Sequence, residues 1–385
     1  MSESPITRRT ALKAAGTLGI AGLAGCSGTN SSSSSSSNGD SGSSDSTDSL
    51  TAAFLYESEV GEVGWDRAHE DARQAVDDEF DWLDTRFSEA VDSSDVKRVM
   101  EEYITGGADV IFGTTFGFMD PIAELSPEYP DTVFEHCSGF KTTDNMGRYY
   151  GRLYQARYLC GVAAGLLTES NQLGYVGAFP IPELVRQINA FVLGARSINP
   201  DVTAGVRWTN AWLDPPTVTQ AVNTLINDGA DVINNHQTST AAVQTAAEND
   251  AYAFTYTTSM ADAGGEFYGS SAIFNWEEFY KPTLQSVYDD EWESDAYWKG
   301  LESGVIDIDD FGPQVSDDIV SEVETQKQEI INGERSVWRE ASSKVNLMNS
   351  SSARWAAMLR VSKEKCQVPE RSTLISDTVI PPWFG

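Results

Sequence analysis

The residues of this chain that could do chemistry gather just beyond short apolar runs. One such turn, Val63 to His69, carries Trp65, Asp66 and His69, and another, Gly113 to Asp120, carries Thr115, Phe116 and Asp120. His136 closes a further run, Trp212 lies in the turn Thr209 to Asp214, and His236 follows Asn234-Asn235. Thr257 and Asn275 end the last two runs. If each run is a strand of a parallel sheet, all of these sit beyond carboxyl ends, where doubly wound sheets bind ligands. Large rings in turns are rarely buried without a reason. A flat heteroaromatic ligand held between such rings supplies one, with stacking worth ~1–3 kcal/mol per face. The plainer alternative is that Trp65, Phe116 and Trp212 pack over the edges of the sheets.

Other chemistries find less support. The three histidines, His69, His136 and His236, have no H-x-x-x-H or comparable spacing and no carboxylate at ligand distance in sequence. Hydrogen bonding to a polar ligand edge, or to local backbone, is therefore the expected role rather than metal ligation. No G-x-S-x-G elbow, phosphate-cradling glycine loop or contextual Cys/His pairing is present. No catalytic residue, metal or cofactor is expected. A hydrolase using Asp120 or Asp214 with a histidine as acid and base is the competing enzyme reading.

The elements that must position these residues alternate. Strands are expected at Leu50–Tyr56, Leu83–Phe87, Asp109–Gly113 and Thr132–His136, with helices at Gly64–Phe80, Ser94–Gly106 and Tyr154–Leu167 between or after them. A second series follows: strands Leu173–Ala178, Thr203–Trp208, Asp231–Asn234 and Tyr252–Tyr256, with helices Pro182–Asn199, Pro216–Asp228 and Thr240–Asn249. The runs Gly106-Gly107-Ala108-Asp109-Val110-Ile111 and Asp228-Gly229-Ala230-Asp231-Val232-Ile233 echo each other, each a helix-terminating glycine leading into a buried strand. The repetition predicts two similar α/β lobes with doubly wound parallel sheets, residues 50–170 and 171–272. Residues 273–333, with a long helix, a Trp-rich connection and a helix over Asp317–Asn332, are expected to cross back to the first lobe. From 334 to 385 the composition changes to eight Lys/Arg against five Asp/Glu, and this tail has no assigned structure.

The chain's beginning says where it works. Thr7-Arg8-Arg9-Thr10-Ala11-Leu12-Lys13 is a twin-arginine export signal, and the following apolar stretch is too short for a membrane span. It ends in Leu23-Ala24-Gly25-Cys26, a lipobox in which Cys26 takes the lipid, so residues 1–26 read as signal plus anchor point. Residues 27–49 contain only Ser, Gly, Thr, Asn and Asp and have nothing to bury; they form a disordered tether reaching about 25–30 Å. A site tethered to the outer face of the cell membrane has no ATP supply, which disfavours kinases and ligases and favours capture of solutes. The net charge of -32, with acid scattered rather than clustered, describes a surface adapted to high salt, as in a halophilic archaeon, and argues against nucleic-acid binding. Cys137 and Cys160 read as small buried hydrophobes, with a disulfide between them as the alternative.

Particular runs then carry a resemblance. Gly64-Trp65, Phe112 to Phe118, Phe134-Glu135-His136, Gly174 to Glu183, Asn189-Ala190-Phe191, Gly194-Ala195-Arg196-Ser197 and Trp212-Leu213-Asp214-Pro215 resemble the basic membrane protein family, over roughly Leu50 to Asn332. These are lipoprotein receptors of ABC importers for purine nucleosides and related compounds. The resemblance implies a type I periplasmic-binding-protein fold that closes on its ligand and delivers it to membrane permease subunits, with a monomer expected. It implies stacking aromatics at Trp65 and Trp212 and a base-reading carboxylate at Asp120. Where nucleoside receptors carry an Asp for ribose hydroxyls this chain has Thr257, and where they carry a Lys it has Asn275. These departures move the expected ligand toward a free purine base such as adenine, with His236 and Asn275 closing the site. A sensor presenting its bound form to a membrane signalling partner is the alternative.

Overall fold

A computed structural model describes residues 49–338. The export signal, Cys26, the tether before residue 49 and the tail beyond residue 338 lie outside the described residues. The strands, in chain order, are β1 (Leu50–Leu55), β2 (Leu83–Ser88), β3 (Val110–Gly113), β4 (Val133–Cys137), β5 (Met146–Gly151), β6 (Gln172–Gly177), β7 (Thr203–Trp208), β8 (Val232–Asn235), β9 (Tyr252–Thr257), β10 (Tyr268–Phe274), β11 (Ala296–Lys299) and β12 (Ile306–Ile308). They form two six-stranded sheets, ordered β11-β5-β4-β3-β1-β2 and β12-β10-β9-β8-β6-β7. Every pairing is parallel except β10 with β12. The core strands are covered on both faces, which is why β3 and β8 are buried along their whole length.

The sequence echo has a geometric cause. Gly107 and Gly229 adopt φ of 88° and 103°, which a side chain would resist. Past each, the chain closes the helix end: Ala108 N donates to Tyr103 O and Ala230 N to Leu225 O, both at 3.0 Å. These six-to-one bonds end the helices Val96–Thr105 and Pro215–Asn227 and turn the chain into β3 and β8.

The chain passes between the sheets three times: after β5, after β10 and after β11. The helix Glu277–Tyr288 packs on Trp65–Glu79 in the first lobe, and β11 extends that lobe's sheet. The helices Tyr154–Leu167 and Asp317–Ile331 pack together on the second lobe, where β12 joins β10. The pattern missed β5, β11 and β12. β5 reads Met-Gly-Arg-Tyr-Tyr-Gly and buries rings rather than an aliphatic run, while β11 and β12 are too short to show alternation. Cys137 and Cys160 are free, buried thiols. Among the described residues no helix is long and apolar enough to cross a membrane.

Candidate functional site

Trp65 is the first residue of its helix, Trp65–Glu79, and Gly64 sets its angle of entry with φ of 102°. Gly64 is also where the lobes touch. Its amide donates to Thr258 Oγ1 at 3.0 Å, and a Cβ there would lie 2.5 Å from the Thr238 carbonyl oxygen. The Trp65 indole N–H donates to Thr114 O at 2.8 Å, which fixes the ring against the end of β3. Around it stand His69 (centroids 4.9 Å), Phe274 (5.6 Å), Trp276 (5.8 Å), Tyr256 (6.1 Å) and Tyr150 (6.4 Å). Tyr256 belongs to the second lobe and lies nearly parallel to Trp65, 16° between planes.

From Tyr256 the rings continue into the second lobe. His236 stacks on Tyr256 at 3.9 Å, Trp212 lies 6.2 Å from His236, and Phe179 meets Trp212 edge-on at 5.0 Å. Trp65 and Trp212 are thus the two ends of one ring series, with Tyr256 and His236 between them. Beneath it the buried Arg157 guanidinium donates to Asn234 Oδ1, Thr255 O (2.9 Å) and Asn235 O (2.8 Å), clamping the ends of β8 and β9. It lies 5.3 Å from the Tyr256 ring centroid, a cation–π contact.

All three histidines are buried, and burial lowers their pKa, to about 4 for His136 and well below the usual range for His69 and His236. Each is a neutral imidazole. His136 Nε2 donates to Thr115 O at 2.8 Å, which leaves its Nδ1 as a lone-pair acceptor. His236 Nδ1 donates to Gln187 Oε1 at 3.0 Å, leaving Nε2 as its acceptor. His69 Nδ1 pairs with the Tyr280 hydroxyl at 2.6 Å while its ring stacks on Trp276 at 4.7 Å.

The remaining expected residues divide. Asp66 is buried; Oδ2 accepts from Ser58 N at 3.1 Å, Oδ1 has no partner, and burial pushes its pKa up to about 7. Thr115 donates to Glu57 at 2.8 Å. Thr257 is a β-branched residue held at φ of 74°, a strained position at the end of β9. Its hydroxyl donates to Tyr256 O at 2.6 Å. Asn275 bridges two crossing segments, donating Nδ2 to Gly304 O and its backbone N–H to Val305 O, both at 3.0 Å. Phe116 is exposed beside Phe140, and Asp120 is exposed in an ion pair with Lys141 at 2.7 Å, so neither joins the ring series.

Sequence reasoning passed over Tyr150, Tyr256, Trp276 and Gln187, and of the strand-end run Asn235-His236-Gln237-Thr238 it carried only His236 forward as a site residue. Asn235 Oδ1 and Gln237 Oε1 are buried without a partner, as are Ser239 Oγ and Trp276 Nε1. The signal for Asn235 and Gln237 was present, since both flank His236 in the loop after β8. Tyr256 sits inside β9, one residue short of the strand end.

Two doubly wound lobes joined by crossing segments, with rings and unpaired polar atoms collected at the facing strand ends, define a type I solute-binding protein. The chain belongs to the Bmp family, whose model, described as ABC transporter substrate-binding protein PnrA-like, matches residues 49–340. It is 52% identical over 289 residues to the proposed ABC transporter glucose-binding protein TsgA13 of Haloferax volcanii, covering 75% of this chain and 74% of that one. It is 34% identical over 287 residues to Purine-binding protein BAB2_0673 of Brucella abortus, covering 74% and 82%. A solved transcriptional activator of the comK gene from Bacillus halodurans shares the fold with a TM-score of 0.66 at 20% identity, covering 74% of this chain and 99% of that one. A solute-binding protein from Conexibacter woesei does so with a TM-score of 0.64 at 18% identity, covering 75% and 98%. The protein is therefore an extracytoplasmic substrate-binding component of an ABC transporter, not an enzyme.

Proposed function

We propose that the protein captures a purine-type base, adenine among the candidates, between its lobes and hands it to the permease. The observation that carries this reading is the ring series from Trp65 through Tyr256 and His236 to Trp212. Trp65 and Tyr256 lie almost parallel with centroids 6.1 Å apart, so the lobes must part slightly to admit a flat guest, which needs roughly 7 Å to touch both faces. The unpaired Asn235 Oδ1 and Gln237 Oε1, with His236 Nε2, are acceptors, and an exocyclic amine or ring N–H satisfies acceptors. A purine-binding relative supports the same class. A second reading, a hexose, is favoured by the name of the 52% identical relative, and aromatic faces also stack on sugar C–H surfaces.

Calorimetry with adenine, adenosine and glucose separates the two. The purine reading expects micromolar heats with adenine, near -8 kcal/mol in free energy. It also expects at least a tenfold loss in both Trp65→Ala and Trp212→Ala. Heats with glucose alone would transfer the assignment to sugars. Lipid attachment at Cys26 is part of the same proposal, and a Cys26→Ser variant is expected in the medium rather than in the membrane fraction.

A further inference from the structure

The run Gly174 to Glu183 is among the most distinctive in the sequence, yet ring stacking assigns no task to its last residue. Glu183 lies in the first turn of the helix Pro182–Ile198, in the second lobe. Its Oε1 accepts from the Tyr150 hydroxyl at 2.5 Å and from Gln187 Nε2 at 3.2 Å, and its Oε2 accepts from Ser138 Oγ at 3.0 Å. Tyr150 belongs to β5 and Ser138 directly follows β4, so two of the three donors come from the other lobe. Gln187 ties the carboxylate to the ring series, because its Oε1 receives His236 Nδ1 at 3.0 Å and His236 stacks on Tyr256.

Ser138 carries a second, independent sign. Its φ is 69°, in the left-handed region that glycine enters freely and a side chain does not. The serine has one thing a glycine lacks, the hydroxyl, and that hydroxyl is spent on Glu183. Strain of this kind collects where the surrounding structure uses the residue.

We infer that Glu183 is a closure latch, a second-lobe carboxylate that Ser138 and Tyr150 of the first lobe hold only while the lobes are together. Through Gln187 and His236 the latch shares its framework with the rings that would receive a ligand. The inference rests on the reading that ligand is captured between the lobes, but the latch acts on closure and can be measured with no ligand added. Burial raises the Glu183 pKa, while the hydrogen bonds from Tyr150, Ser138 and Gln187 oppose that rise by favouring the ionised form, to which hydrogen bonds are about twice as strong as to a neutral acceptor. Loss of one such bond is expected to lower the closed-to-open ratio about tenfold.

Spin labels on the outer faces of the two lobes, read by double electron–electron resonance on the full chain, give that ratio without ligand and with adenine as probe. Ser138→Gly is expected to lower it about tenfold while leaving the thermal midpoint unchanged or raised, since glycine relieves the left-handed backbone. Ser138→Ala removes the same hydroxyl and must show the same drop in ratio. Glu183→Gln keeps an acceptor without the charge and should fall between parent and Ser138→Gly. Equal ratios in parent and Ser138→Gly overturn the latch. If adenine moves no ratio but Ser138→Gly still differs from parent, the latch stands and the purine reading fails.

Discussion

At the residue scale, burial decides which groups titrate usefully. Glu135 is buried against Gly147, accepts the Trp292 indole N–H at 2.9 Å, and burial pushes its pKa up to about 8 from an ordinary 4.5. A carboxyl whose pKa is raised on folding stabilises the fold below its ordinary value, and that contribution is lost as pH rises through the folded value. The three histidines act in the opposite sense: their pKa values are lowered, so their contribution is present above about 6.5 and lost as pH falls. Stability should therefore peak between these regimes and decline toward pH 8.5. In Glu135→Gln the decline above pH 7 should be shallower than in the parent, as read by thermal midpoints across pH 5 to 9. Parallel curves for the two proteins would discard the assignment. Large rings in turns were legible because they are out of place there. Tyr150 and Gln187 were not, because sheet register and helix packing bring them beside the rings and no local pattern marks them; Glu183 ends a distinctive run, but nothing local shows that it meets Ser138 and Tyr150.

At the element scale, two close approaches set the design. The helices Tyr154–Leu167 and Pro182–Ile198 touch backbone to backbone, since a Cβ on Gly161 would collide with the Phe191 carbonyl oxygen and one on Gly194 with that of Tyr158. Gly194→Ala is expected to destabilise the fold by about 1–3 kcal/mol, seen as a lower denaturation midpoint. An unchanged midpoint would mean the helices separate without loss. Gly64 is the other approach. Gly64→Ala sets a strained φ and a clash with Thr238 at the contact between lobes, so ligand affinity should fall by more than tenfold while helix content is kept. Affinity equal to the parent would show that closure tolerates the added carbon. The helix ends at Gly107 and Gly229 were readable because a left-handed residue after a helix favours glycine. β5 was not readable, because its buried side chains Met146, Tyr149 and Tyr150 are broken up by Gly147 and the half-buried Arg148 and show no alternation.

At the scale of the whole molecule, charge and connectivity are the governing features. A formal net charge of -32 spread over the surface repels itself, and added salt shortens the screening length from about 10 Å at 0.1 M to about 3 Å at 1 M. The thermal midpoint should rise over that range, and a flat or falling midpoint would mean the acidic groups are too far apart to matter. The two-lobed architecture was legible because the strand and helix periods repeat. The return strands were not, since β11 and β12 take their places from partners already built. That has a consequence for synthesis. Among the described residues the free side of β5 is paired by β11, which leaves the ribosome after all the strands from β6 to β10. Until then the nascent first lobe presents a bare row of amides and carbonyls to any neighbouring strand, and guarding that edge falls to whatever attends the emerging chain.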